Sequence, residues 1–119
     1  MLIDKLFIEG KSVYSPPFRF VFVPVDNYSG PFPAQVVFSV PKRNFKQAVK
    51  RNLIRRRMRE AYRYNKLGFY ESLGIARQKM AIMIIYIEKD VSEYPAIETG
   101  LIKGLKKVLS KLNKDILSS

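Results

Sequence analysis

Between Lys42 and Lys66 the sequence carries Lys42, Arg43, Lys46, Lys50, Arg51, Arg55, Arg56, Arg57, Arg59, Arg63 and Lys66 against one acid, Glu60. That net of +10 is nearly all of the +12 held by the 119 residues, so the remainder reads as close to neutral. A surface that only has to stay soluble intersperses its signs, and charge gathered like this marks an element that binds a polyanion. Guanidinium groups offer planar forks that stay charged at any physiological pH, which suits phosphate oxygens. Nucleic acid is therefore the first candidate partner, with an acidic membrane surface second.

The rest of the composition narrows the chemistry. There is no cysteine, histidine or tryptophan. Disulfides, the usual ligands of zinc, copper and iron, and nucleophilic catalysis of the Ser-His or Cys-His type are all excluded. Glu88, Asp90 and Glu93 form the densest acidic group and could in principle hold a hard cation such as Mg²⁺. Carboxylates just before a helix more commonly complement its dipole. The chain offers no catalytic set and no metal site of its own. Its longest apolar run, Met80 to Ile87, has the length of a strand and not of a membrane span, and Met1 to Gly10 lacks the layout of a signal peptide. A cytoplasmic, single-domain protein over residues 1–119 is expected, with no membrane partner.

The basic residues need a scaffold. From Lys46 to Tyr64 there is no Gly or Pro, and Ile54, Met58, Ala61 and Tyr62 recur at helical spacing, so this segment is read as a helix with that stripe against the core. Asn52, Arg55, Arg56, Arg59 and Arg63 fall on nearly the opposite side, with Lys50 and Arg57 on a flank. Asn52 adds an amide that both donates and accepts. Gly68 is the expected helix stop.

Phe18 to Val25 and Ala34 to Val40 read as strands joined by the turn-forming run Asp26 to Pro31, which predicts an antiparallel hairpin. Alternation puts Phe18, Phe20, Phe22, Val36, Phe38 and Val40 on one face, and Arg19, Val21, Val37 and Ser39 on a less covered one. Pro24 and Pro41 mark strand ends, and Lys11 to Tyr14 is a candidate short strand. Lys79 to Ile87 is apolar on both faces, as an interior strand would be. A last helix opens at Val91 to Pro95, with Ile97, Leu101, Leu105, Val108, Leu112 and Ile116 as its apolar stripe. Gly100 and Gly104 on that helix are read as points of close approach to a sheet. The order predicts an α+β two-layer sandwich.

Two segments together carry a resemblance. Ser39-Val40-Pro41-Lys42-Arg43, followed by Ala48-Val49-Lys50-Arg51-Asn52-Leu53-Ile54-Arg55-Arg56-Arg57-Met58-Arg59-Glu60-Ala61-Tyr62, closely resembles the protein component of bacterial ribonuclease P. The likeness is strongest over residues 36–63 and extends more weakly to Phe7-Ile8-Glu9-Gly10 and to the later strand and helix. It implies a roughly four-stranded sheet with a left-handed βαβ crossover, similar to domains of ribosomal proteins. It also implies binding to the catalytic RNA and to the 5′ leader of precursor tRNA, whose removal the RNA and its Mg²⁺ ions carry out.

On this resemblance Arg51, Asn52, Arg55, Arg56 and Arg59 match the motif that contacts RNA, and Lys50 and Arg63 join them from the helical reading. Phe7, Ser39 and Arg43 match the cleft that receives the leader. Arg19 and Val21 join them from the strand reading, and Lys42 is grouped with Arg43.

The sequence departs from the family pattern at three places. Leu53 stands where a second Arg is usual, with Arg57 as the nearest replacement. The connection Lys42 to Ala48 differs from the commoner form. The chain also starts within the expected first helix, as if part of that helix were missing. The competing readings are a ribosomal or general RNA-binding protein without a processing role, and a nuclease built on Glu88, Asp90 and Glu93.

Overall fold

The computed structural model describes residues 10–25, 33–75 and 78–118, with side chains described as far as Lys114. Six elements follow one another: β1 (Lys11–Ser15), β2 (Phe18–Pro24), β3 (Ala34–Ser39), α1 (Ala48–Ile75), β4 (Met80–Tyr86) and α2 (Tyr94–Ser118). The candidate strand at Lys11 is present as β1. The expected first helix, Phe7 and the Asp26 to Pro31 turn lie outside the described residues.

The strands form one mixed sheet in the order β1-β2-β4-β3. β1 pairs antiparallel with β2 and β2 with β4, while β3 runs parallel to β4 across the α1 crossover. The predicted hairpin between β2 and β3 is therefore wrong, because β4 lies between them. The physical reason is in β4 itself: MAIMIIY is apolar on both faces, and six of its seven residues are buried. Such a segment loses most if left at an edge and takes an interior position. β1 and β2 are joined by Pro16-Pro17, whose peptide bond is cis.

Strand alternation divides the sheet. Phe18, Phe20, Phe22, Ile82, Ile84 and Tyr86 face the helices and form the main core with Ile54, Met58, Ala61, Tyr62, Phe69 and Leu73 of α1 and with Ile97, Leu101, Leu105, Val108 and Leu112 of α2. Phe18 meets both Phe20 and Tyr86 edge-on, with ring centroids 5.9 Å apart, a favoured aromatic geometry. On the outer face Val23, Val25, Ala81 and Met83 make a smaller buried cluster, with Val21, Val37 and Ile85 partly buried against it.

Gly68 does not stop the first helix. α1 continues through it to Ile75, since Phe69 and Leu73 prolong the buried stripe. Their burial outweighs the roughly 1 kcal/mol that glycine costs inside a helix. The two glycines of α2 have the role the sequence suggested. A Cβ on Gly100 would collide with the Pro16 carbonyl, and one on Gly104 with the Phe20 ring. Ser15, buried to 2 % exposure, donates its hydroxyl to the Gly100 carbonyl at 2.9 Å and fixes β1 over α2.

Candidate nucleic-acid interface

Because Ile54, Met58, Ala61 and Tyr62 are buried, the orientation of α1 is set and its opposite side must face outward. Asn52, Arg56, Arg59 and Arg63 are exposed there, Lys50 is exposed on a flank beside the connection before α1, and Arg55 is half-buried with Nη1 3.3 Å from Asn52 Oδ1. Arg63 lies over the Tyr64 ring, 5.2 Å from its centroid. Guanidinium groups from successive turns thus project from one rigid rod, a geometry suited to phosphates spaced along folded RNA.

Two arginines of the segment are turned to the protein itself. Arg51 Nη1 donates to the carbonyls of Phe45 and Lys46 at 2.7 and 3.0 Å. It thereby seats the connection before α1, which Phe45 also anchors by packing against Tyr86 at 5.8 Å. The unusual Lys42 to Ala48 stretch is thus pinned by Arg51 and Phe45, and Lys42 and Arg43 stand exposed in its turn. Arg57 Nη1 donates to the Ser92 carbonyl at 2.7 Å. Rather than supplying an outward contact in place of Leu53, it ties α1 to the loop after β4.

That loop contains the acidic group of the nuclease reading. It is organised around Tyr86, whose hydroxyl donates to the Asp90 carbonyl at 2.5 Å, lies 2.8 Å from Ser92 Oγ and accepts the Ser92 N–H at 2.9 Å. Among the described residues no three carboxylates gather into a group that could hold a metal ion. Between the helices, Asn65 Nδ2 and the Tyr94 hydroxyl both donate to Glu98 Oε2 at 3.2 Å. Desolvation, then the Glu98 carboxylate, push the Tyr94 hydroxyl above its ordinary pKa. Among the described residues no helix is long and apolar enough to cross a membrane.

The leader residues expected from strand alternation do share the outer face. Ser39 pairs with Ile85, Ile85 with Arg19, and Arg19 with Tyr14, so one row crosses all four strands. Val21 lies in the next row, beside Met83, which in turn pairs with Val37. Lys42 and Arg43 follow the end of β3. Tyr14, 54 % exposed at the β1 end of the row, is a residue that the sequence pattern does not single out. Alternation in Lys11–Ser15 points to it only when that segment is given the weight of a strand.

The family model described as Ribonuclease P matches residues 2–112. The chain belongs to that family. A ribonuclease P protein component from Chlorobium phaeobacteroides is 33% identical over 122 aligned residues, covering 97% of this chain and 80% of the relative. One from Porphyromonas gingivalis is 27% identical, covering 98% and 85%. Among solved structures, the Staphylococcus aureus RNase P protein superposes with a TM-score of 0.69 at 20% identity, covering 89% of this chain and 87% of that one. The Thermotoga maritima RNase P protein gives 0.66 at 23%, covering 88% and 89%. The structural likenesses speak for the fold, and the sequence matches for the family. In this ribonuclease P family member the sandwich thus presents two candidate surfaces, the arginine face of α1 and the open row of the sheet.

Proposed function

We propose that this chain is the RNA-binding protein subunit of a ribonuclease P and promotes 5′-end maturation of tRNA. The observation that carries the reading is the exposed face of α1, where Asn52, Arg56, Arg59 and Arg63 stand opposite a buried stripe in a member of this family. That face, with Arg55 and the flanking Lys50, docks on the catalytic RNA through phosphate contacts, and Arg51 supports it by holding the connection before α1 through the Phe45 and Lys46 carbonyls. The outer sheet face, with Arg19, Val21, Ser39, Lys42 and Arg43, receives the single-stranded leader of precursor tRNA, and the family resemblance assigns a leader contact to Phe7 as well. Phosphodiester hydrolysis is the work of the RNA and its Mg²⁺ ions, and this chain contributes binding and orientation in the cytoplasm.

Purified protein added to ribonuclease P RNA should enhance cleavage of precursor tRNA at limiting Mg²⁺. No enhancement would reject the reading, and equal binding to unrelated structured RNAs would favour a general RNA-binding role. Cleavage by protein free of RNA would revive the nuclease.

A further inference from the structure

We propose that the single-stranded RNA surface does not end on the sheet but continues over the β1 edge onto α2, with Tyr14 as a base-stacking platform and the lysines of α2 as phosphate contacts. This rests on the functional reading above and extends it to residues that neither the sequence pattern nor the helical arginine motif assigns.

Tyr14 stands beside Arg19 in the register of β1 and β2, both exposed on the outer face. β1 is an edge strand, and its inner neighbour on the helix side is α2. Two α2 lysines reach around that edge: Lys107 Nζ donates to the Tyr14 carbonyl at 2.8 Å and Lys111 Nζ to the Ser12 carbonyl at 3.2 Å. Lys103, exposed one turn before Lys107, lines with it the cavity that Ser15 and Pro16 also line, and from Thr99 to Lys114 there is no acid. Aromatic ring, guanidinium and ammonium groups therefore follow one another from the sheet face to the helix.

That combination suits an unpaired strand. A duplex hides its base faces, whereas an open strand can lay a base on a ring while its phosphates meet a line of cations. The crossing from β3 to β1 takes three strand spacings, about 14 Å in all. A short leader would end on the sheet, and only a longer one would pass Tyr14 and meet the lysines. Lysines at a sheet edge also guard it against pairing with another chain. That role alone predicts aggregation on their removal and no dependence on leader length.

The test measures affinity of the holoenzyme, reconstituted with ribonuclease P RNA, for precursor tRNAs whose leaders end on the sheet or run beyond β1, and for mature tRNA. Tyr14→Ala should weaken binding of the long-leader substrate by about tenfold, the worth of one base stack, while Tyr14→Phe retains it. Replacing Lys103, Lys107 and Lys111 together by Gln should lower the salt slope for that substrate by about 0.7 for each phosphate that is no longer neutralised. Short-leader and mature tRNA should be unaffected, with circular dichroism unchanged. Variants that keep the wild-type response to leader length, or that weaken all three RNAs equally, overturn the proposal while leaving the functional reading standing. A wild-type holoenzyme that binds precursor and mature tRNA alike overturns that reading, and the proposal with it.

Discussion

On the helix-covered face of the sheet, Phe18, Phe20, Phe22, Ile82, Ile84 and Tyr86 are each no more than 1 % exposed, whereas the residues between them, Arg19, Val21 and Ile85, reach solvent. The same strands supply both sets, so a shift of one residue separates the buried core from the proposed RNA surface. α1 repeats the division around its circumference, with Met58 fully buried and Arg56 and Arg59 exposed. The lesson is that stability and binding can be altered independently in this protein, provided each substitution respects the side it lies on.

Phe20→Ala should break this division most severely, costing about 3–5 kcal/mol in denaturant unfolding, while Arg19→Ala stays within about 0.5 kcal/mol. Similar losses for the two would mean that the faces are not separate. Along α1, Arg57→Ala removes a charged donor from the Ser92 carbonyl and should cost about 1.5–3 kcal/mol, against almost nothing for Arg56→Ala. Equal costs would show that Arg57 is not structural. Gly68→Ala sharpens the contrast in the other direction. A Cβ there has nothing within 4 Å, and helix propensity predicts a gain of about 0.5–1 kcal/mol in unfolding free energy.

A last, smaller effect concerns pH. Burial, then the hydrogen bond to Tyr70, hold the Tyr62 hydroxyl above the ordinary tyrosine value of 10.0. The unfolded chain therefore loses that proton first. The associated stability is intact below about pH 10 and is lost as pH rises beyond it. Unfolding midpoints should fall less steeply above that pH in Tyr62→Phe than in the unaltered protein, and parallel curves would contradict the assignment.

Much of this division was legible in the sequence. The spacing of Ile54, Met58, Ala61 and Tyr62 oriented α1, the unbroken apolar run marked β4 as interior, and Gly100 and Gly104 pointed to the close approach they make. What was not legible depends on partners distant in the chain. β4 inserts between β2 and β3, so two strands with turn residues between them never pair. Phe69 and Leu73 carry the helix past Gly68 because a core waits for them. The row from Ser39 to Tyr14 exists only once three strand registers are set. A net charge summed over the remainder hid the α2 lysines, whose charge is cancelled in the count by acids elsewhere in the chain. Arg51 and Arg57, indistinguishable by type from their neighbours, turn inward toward carbonyls that only the fold brings close.

The central claim, that the outward side of α1 docks on RNA, is tested most directly by the salt dependence of binding to ribonuclease P RNA. Replacing Arg55, Arg56 and Arg59 together by Ala should weaken affinity and reduce the slope of log K against log salt by about 0.7–0.9 for each phosphate left without its arginine, with unfolding free energy nearly unchanged. A slope equal to that of the unaltered protein would mean that this face points away from the RNA.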